Sequence, residues 1–135
     1  MGLAGAPVLG WQHDWFPAFY TRSSGLPVPH RVESAAEVAR IFAARSRPAS
    51  GMLLTVPIPE DAELDTGELD GVLSEALADC DRAGITGAAV TPFVLGRVGA
   101  ATEGRSVPAN LALAENNAAV AAQVATAIAG YPSLR

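Results

Sequence analysis

The chain has 135 residues, a formal net charge of −5 and a sequence pI near 4.9. Half of its residues are hydrophobic and 17% are charged, which is typical of one folded domain and not of a disordered chain. The acidic balance argues against nucleic-acid binding, which uses a surface rich in Lys and Arg. All 9 basic residues are arginines, so no side chain of this sequence can form a lysine Schiff base or a P-loop lysine contact.

The cysteine content and the apolar runs bear on the compartment. The single cysteine, Cys80, excludes an internal disulfide and is compatible with a reducing compartment. The start of the chain has no positive charge ahead of its apolar stretch, unlike a secretory signal peptide. The longest apolar candidate for a membrane span, Ala118 to Ala129, is interrupted by Gln123 and Thr126. We therefore expect a cytoplasmic protein without a membrane span.

The first half of the chain predicts two strands and one helix. Pro7 to Trp11 is typical of a short buried strand, and Thr21 to Pro29 of an irregular loop stiffened by proline. Ser34 and Glu37 have the capping-box spacing that begins a helix. Met52 to Val56 predicts the second buried strand.

The second half predicts two longer helices around a third strand. Asp65 can cap a helix over Thr66 to Ala83, and Ile85 to Val90 is predicted to be a strand. Thr91-Pro92 indicates the start of a short helix, and a last helix is expected from Ser106 to about Ala129. This alternation predicts an α/β fold, a layered α/β/α arrangement with a mostly parallel sheet. Because three strands make a thin sheet, we expect a partner chain or a further segment to complete it.

The last predicted helix combines apolar and amide side chains on one side. At 100° per residue, six residues fall within a stripe about 80° wide. They are Asn110, Leu113, Asn117, Val120, Val124 and Ile128. Either the two amides hold neighbouring loops by hydrogen bonds, or this end of the helix borders a polar cleft. Asn116 points elsewhere and is expected to face solvent.

The loop Thr21-Arg22-Ser23-Ser24-Gly25 is the second candidate site. Hydroxyl groups, an arginine and a glycine on a short loop can bind an anion such as phosphate. The same composition is also ordinary for a turn, because Ser and Gly are favoured there for conformational reasons. The residues alone leave both interpretations open.

The residues give no sign of a metal centre. His13, Asp14 and His30 lack further ligands at a workable spacing. The acidic run from Asp61 to Asp70 only loosely approaches a calcium loop, so we interpret it as a solvated loop and helix start. Cys80 lies on the apolar side of a predicted helix, which indicates a buried, inert thiol.

Several blocks of the sequence follow the order of one known family. They are residues 10–25 (GWQHDWFPAFYTRSSG), 27–31 (PVPHR), 57–60 (PIPE), 89–93 (AVTPF) and 104–106 (GRS), followed by Asn110, Ala112, Leu113, Asn116 and Asn117. On these blocks the chain resembles the C-terminal half of pseudouridine-5′-phosphate glycosidase, the family that includes the indigoidine-synthase-A-like proteins. Residues 1–135 then form a single partial domain of that fold.

The resemblance implies an activity and its requirements. Members of the family reversibly cleave the C–C glycosidic bond of pseudouridine 5′-phosphate, giving uracil and ribose 5-phosphate. They are thought to hold the opened ribose as a lysine Schiff base, with manganese (Mn²⁺) near the substrate phosphate, and they assemble as trimers. The lysine, the metal-holding aspartate and most phosphate and base contacts belong to the N-terminal half. We therefore expect this chain to be inactive alone and to act as a homo-oligomer or with an N-terminal partner half.

The resemblance also implies site residues. Asn110 matches an asparagine that contacts the substrate near the reacting ring, and it is the candidate catalytic residue. Asn117, Arg22 and Ser23 are the candidate substrate-binding residues, by their match to a family asparagine and to the family's loop.

The sequence departs from the family pattern in four places. They are residues 13–16, Val56, Ala88 where a lysine is usual, and a shorter connection over 45–50. These departures keep two hypotheses open. The chain is either part of the enzyme (a fragment, one piece of a split enzyme, or a sequence whose true start lies upstream) or a non-catalytic α/β remnant or interaction module.

Overall fold

A small parallel sheet and four helices make up the described part of the chain, which covers residues 6–45 and 51–132 of a computed structural model. The strands are β1 (Val8–Trp11), β2 (His30–Val32) and β3 (Leu53–Thr55), in the spatial order β2-β1-β3. The helices are α1 (Ala35–Ala43), α2 (Thr66–Arg82), α3 (Val90–Ala101) and α4 (Ser106–Gly130). The predicted α/β class with a parallel sheet is confirmed.

Two helices begin where their capping residues predict. The Ser34 hydroxyl accepts the backbone N–H of Glu37 at 3.3 Å, and the Glu37 carboxylate accepts the N–H of Glu33 at 2.9 Å. The Asp65 carboxylate likewise accepts the N–H of Glu68 at 2.9 Å, at the start of α2. Each side chain thus satisfies an amide that has no partner within its own helix.

The predicted strand over Ile85 to Val90 is wrong. Gly87 has a φ of +63°, which breaks an extended backbone, and residues Gly87–Ala89 form a 3₁₀ turn that leads directly into α3. Thr91 therefore lies inside α3 and does not cap it. The third strand is β2, a short and mostly polar strand that no apolar run indicates; only Val32 in it is buried.

The sheet has one tightly sealed face and one face packed on helices. Leu9, Val32 and Val38 are fully buried together; with the partly buried Trp11, Ile41, Met52, Leu54 and Val124 they form what we call the sheet cluster. Gly10 points to the opposite face, because successive residues of a strand alternate between faces. There a Cβ atom at Gly10 would lie 2.4 Å from the His13 carbonyl oxygen and 2.7 Å from Val28 Cγ2. Only glycine fits this close approach.

A second cluster, here called the helical cluster, joins α2, α3 and α4. Its buried members are Tyr20, Ile58, Leu69, Val98, Ala109 and Leu113. Tyr20 and Ile58 come from loops, so this core fixes two loops against the three helices. Both clusters include side chains of α4, so the loops that contain Tyr20 and Ile58 are held in a fixed position relative to that helix.

Some sequence predictions concern residues that the structure leaves out. The shorter connection over residues 45–50 lies, beyond Arg45, outside the described ranges, as do the first five residues of the chain. Within the described ranges, no helix has the length and apolar character needed to cross a bilayer.

Candidate functional site

The structure brings together two of the sequence blocks that carry the family resemblance. The backbone N–H of Arg22 donates to the Glu63 carboxylate at 2.7 Å, and the N–H of Leu64 donates to the Tyr20 carbonyl at 3.0 Å. Ile58 is fully buried in the same cluster as Tyr20. The loop around residues 20–23 and the segment 57–64 therefore form one unit above the helical cluster.

Arg22 is the main side-chain link within this unit. Its Nη1 donates to the Ile58 carbonyl at 2.6 Å, and its Nη2 lies 3.7 Å from the Glu60 carboxylate. The Arg22 side chain is 22% exposed, whereas that of Glu60 is 85% exposed. In this arrangement the guanidinium braces the segment 57–64, and one edge of it remains accessible to solvent.

Ser23 and Ser24 shape the turn that follows Arg22. The Ser23 hydroxyl accepts the N–H of Gly25 at 3.1 Å, and the Ser24 hydroxyl accepts the N–H of Leu26 at 3.4 Å. Gly25 has a φ of +77°, a conformation that favours glycine. These are the conformational roles that turn residues have, and both hydroxyls lie on the exposed side of the loop.

The three asparagines of α4 are arranged differently from the predicted stripe. Asn110 and Asn117 are exposed, so the expected burial of both amides is wrong. Asn116, expected to face solvent, is partly buried and donates from Nδ2 to the Pro57 carbonyl at 3.2 Å. The inward side of α4 comprises the buried Ala109, Leu113 and Val120 and the partly buried Asn116. Ala109 and Leu113 pack in the helical cluster, and α4 also packs along α1.

The turn between α3 and α4 sets where Asn110 lies. Thr102 is buried, and its hydroxyl accepts the N–H of Ser106, the first residue of α4, at 3.2 Å. Glu103 and Gly104 in this turn have φ values of +52° and +81°. The turn therefore fixes the start of α4, and Asn110 projects to solvent from the helix's first turns. An exposed amide there can both donate to and accept from a sugar hydroxyl.

The described residues do not form a metal site. Across residues 6–45 and 51–132, no three His, Cys, Asp or Glu side chains are grouped so that they could hold a metal ion. His13 instead anchors a turn, with its Nδ1 accepting the N–H of Trp15 at 3.3 Å. Cys80 is buried, as predicted, with its Sγ 3.6 Å from the Ile85 carbonyl.

Sequence reasoning missed two features of this region. The hydrogen bond of Asn116 links α4 to the segment 57–64, and no local pattern indicates which of two adjacent asparagines faces inward. Phe19 has a φ of +62°, which is rare for a bulky residue, and its ring packs edge-on against Tyr20 at 4.7 Å between centroids. Its place in the specific FPAFYTRSSG block is the one sequence signal that marks it.

The comparisons with known proteins agree with this fold and this set of blocks. The family model described as "Indigoidine synthase A like protein" matches residues 2–127, so the chain belongs to that family. The matched region covers most of the chain and includes the loop at 20–25, the segment 57–64 and the start of α4.

Curated relatives of the chain are named pseudouridine-5′-phosphate glycosidase. The protein from Sorangium cellulosum is 45% identical over 125 residues, which cover 92% of this chain and 39% of the relative. The protein from Myxococcus xanthus is 46% identical over 128 residues, which cover 93% of this chain and 42% of the relative. The chain thus spans about 40% of the length of these relatives and matches their C-terminal part.

Two solved structures share the fold. A prealnumycin C-glycosynthase in complex with ribulose 5-phosphate superposes with a TM-score of 0.79 at 32% identity, covering 93% of this chain and 42% of that one. An indigoidine synthase A-like protein from Thermotoga maritima superposes with a TM-score of 0.74 at 32% identity, covering 92% of this chain and 40% of that one.

Proposed function

We propose that this chain is the C-terminal portion of a pseudouridine-5′-phosphate glycosidase. The reaction is reversible cleavage of the C–C bond between uracil and the ribose of pseudouridine 5′-phosphate; water is consumed, and uracil and ribose 5-phosphate are released. The chain performs it only together with an N-terminal portion, supplied on the same polypeptide or by a separate one. Its setting is cytoplasmic, and its assembly is a homo-oligomer, a trimer in this proposal.

The observation that carries this proposal is the length and level of the match. The chain is 45% identical over 125 residues, 92% of its length, to a protein named pseudouridine-5′-phosphate glycosidase. A structural neighbour with a TM-score of 0.79 is a C-glycosynthase that binds a pentulose phosphate, ribulose 5-phosphate. Both point to chemistry at a C–C bond to a phosphorylated five-carbon sugar.

Within this proposal the chain contributes polar contacts to the sugar phosphate. Asn110 is the catalytic residue, since its exposed amide at the start of α4 can hold a ribose hydroxyl beside the reacting carbon. Asn117 lies two turns further along α4 and serves substrate binding. Arg22 and Ser23 face the substrate from the adjoining loop, with Arg22 positioned by the Ile58 carbonyl.

Other parts of the chemistry come from outside this chain. The sequence contains no lysine, so the Schiff base that the family resemblance implies requires an amine from the N-terminal portion. The described residues also offer no cluster of metal ligands, so the manganese implied by the resemblance is held elsewhere. For these reasons the isolated chain should have no glycosidase activity.

The test is reconstitution with a matched N-terminal portion. The chain is co-expressed with the part of the Myxococcus xanthus relative that precedes its matched region, and uracil release from pseudouridine 5′-phosphate is followed by absorbance. We expect uracil release from the pair and none from the chain alone. In the active pair, Asn110→Ala should lower kcat/KM by about 100-fold without changing thermal stability, because the side chain is exposed.

A non-catalytic α/β module predicts a different set of results. Such a module remains folded, binds no ribose 5-phosphate in calorimetry, and releases no uracil in any combination. If Asn110→Ala in the reconstituted pair leaves kcat/KM unchanged, Asn110 has no catalytic role even though the family function holds.

A further inference from the structure

An uncharged groove runs between β3 and α4. Its volume is about 450 Å³, and eight of its nine lining residues have apolar side chains. The lining residues are Met52, Leu54, Val56, Asn117, Val120, Ala121, Val124, Ala125 and Ile128. Glu115 is the only charged residue in the whole of α4, which spans Ser106–Gly130. A helix with so little charge is typical of one that is covered by other parts of a larger fold.

Among residues 6–45 and 51–132, no strand pairs with the outer edge of β3 beside this groove. β3 is the last strand in the order β2-β1-β3, and the Leu53 N–H donates inward to the Pro7 carbonyl at 2.9 Å. Since alternate residues of a parallel strand bond to the same neighbour, the N–H and C=O of Leu54 point away from β1. Leu53, on the same edge, is 37% exposed. The outer side of β3 therefore presents backbone groups and leucine side chains.

At the opposite edge of the sheet, β2 carries features that prevent a further strand from pairing with it. Pro29 precedes β2, and Arg31 on β2 is paired with Asp14 at 3.0 Å and with Glu33. Those carboxylates, Glu33 foremost through its hydrogen bond, raise the pKa of Arg31 above its ordinary value. Charged side chains are a usual means of stopping further strand pairing, and β3 (Leu53–Thr55) has none. In the part of the chain that the structure describes, the sheet thus ends in charged side chains at β2 and in unpaired backbone groups at β3.

We propose that the β3 edge and the β3–α4 groove form the docking surface for the N-terminal portion of the enzyme, which adds a strand beside β3. This inference rests on the proposed function. More than half of each relative lies outside the region that this chain matches, since the match covers 39% and 42% of their lengths. In a single enzyme that remainder packs on the matched part. Parallel sheets are normally covered and extended in this way, and the groove fits a strand with apolar, uncharged side chains.

Paired substitutions on α4 test the surface. Ala121 and Ala119 are both exposed alanines of α4, but Ala121 lines the groove and Ala119 lies about 160° around the helix. Ala121→Arg places a charge in the groove, whereas Ala119→Arg makes the same change outside it. Ala125→Arg, also at the groove, is a second variant. Thermal unfolding of each variant alone establishes that all three remain folded.

The readout is capture of the N-terminal portion. The full 135-residue chain carries a tag and is co-expressed with the part of the Myxococcus xanthus relative that precedes its matched region. We expect capture by the native chain and by Ala119→Arg, and at least about tenfold weaker capture by Ala121→Arg and Ala125→Arg. Hydrogen exchange in the complex should slow at the Leu54 amide and remain unchanged at Leu77 on α2.

The outcomes separate this inference from the proposed function. Capture through the groove without uracil release supports the docking surface and contradicts the function. Uracil release that is equal for Ala121→Arg and Ala119→Arg supports the function and overturns the docking surface. Absence of capture by the native chain, or a groove occupied by a second copy of the chain in sedimentation experiments, also overturns it.

Discussion

The helical cluster and the sheet cluster differ in which parts of the chain lie beside them. Ile58 and Val98 in the helical cluster are 0% exposed, and loops from two sides close it. In the sheet cluster Leu9, Val32 and Val38 are equally buried, but Met52, Leu54 and Val124 are only partly buried beside the β3–α4 groove. Both clusters also include partly buried hydrophobic side chains. The difference is that loops pack on the helical cluster, whereas the β3–α4 groove lies beside the sheet cluster, where we propose that a further portion of the enzyme docks.

A substitution at Gly10, on the tightly sealed face of the sheet, should give the largest change in the free energy of unfolding. Gly10→Ala places a Cβ 2.4 Å from a backbone oxygen, so we expect a loss of about 3 kcal/mol or more in the free energy of unfolding. Urea denaturation measures it. Gly71→Ala in α2, where a Cβ meets no atom within 4 Å, is the control and should stabilise by about 0.5–1 kcal/mol. A neutral Gly10→Ala would mean that the loop over this face is not tightly packed.

The two clusters can be compared directly by truncation. Ile58→Ala should cost about 3 kcal/mol, because its side chain is fully buried in the helical cluster. Leu54→Ala should cost only about 1 kcal/mol in the isolated chain, because Leu54 is half-buried. Equal losses would show that the sheet cluster is already complete. In the complex with an N-terminal portion, the cost of Leu54→Ala should rise.

The link between α4 and the segment 57–64 should give a smaller effect than truncation of Ile58. Asn116→Ala leaves the buried Pro57 carbonyl without its hydrogen bond and should cost about 1–2 kcal/mol. Asn117→Ala, at the exposed neighbouring position, should change stability by less than about 0.5 kcal/mol. Thermal denaturation of both variants distinguishes them, and a reversed order would contradict the observed rotation of α4.

The sequence predicted the elements that depend on local signals. The caps of Ser34 and Asp65 mark the starts of α1 and α2, since the capping groups lie three residues from the amides that they bind. The strand β1 and the strand β3 follow from continuous apolar runs. These signals require no knowledge of the rest of the fold.

The errors arose where tertiary contacts decide. β2 is held by pairing with β1 and by ion pairs of Arg31, none of which a three-residue polar segment reveals. The apolar run at 85–90 was predicted to be a strand, but a positive φ at Gly87 turns it into the approach to α3. On α4 the apolar members of the predicted stripe are buried or partly buried, but Asn110 and Asn117 at its edge are exposed and Asn116 is partly buried instead.

In the candidate site, too, local sequence signals identified the residues, whereas tertiary contacts decide how those residues are arranged. The blocks that compose it were found from the sequence, and the structure joins two of them through Arg22, Tyr20 and Ile58. The roles of Asn110, Asn117, Arg22 and Ser23 remain predictions, because their targets are substrate groups and residues of a further portion. The absence of lysine from the sequence is a reason to propose an amine from a further portion of the enzyme, but it gives no information on how that portion packs.

Uracil release is the measurement that tests the central claim most directly. The purified 135-residue chain and its complex with the N-terminal portion of the Myxococcus xanthus relative are each given pseudouridine 5′-phosphate. We predict uracil release by the complex and none by the chain alone. Turnover by the pure chain, or a well-formed complex that releases no uracil, would contradict this account.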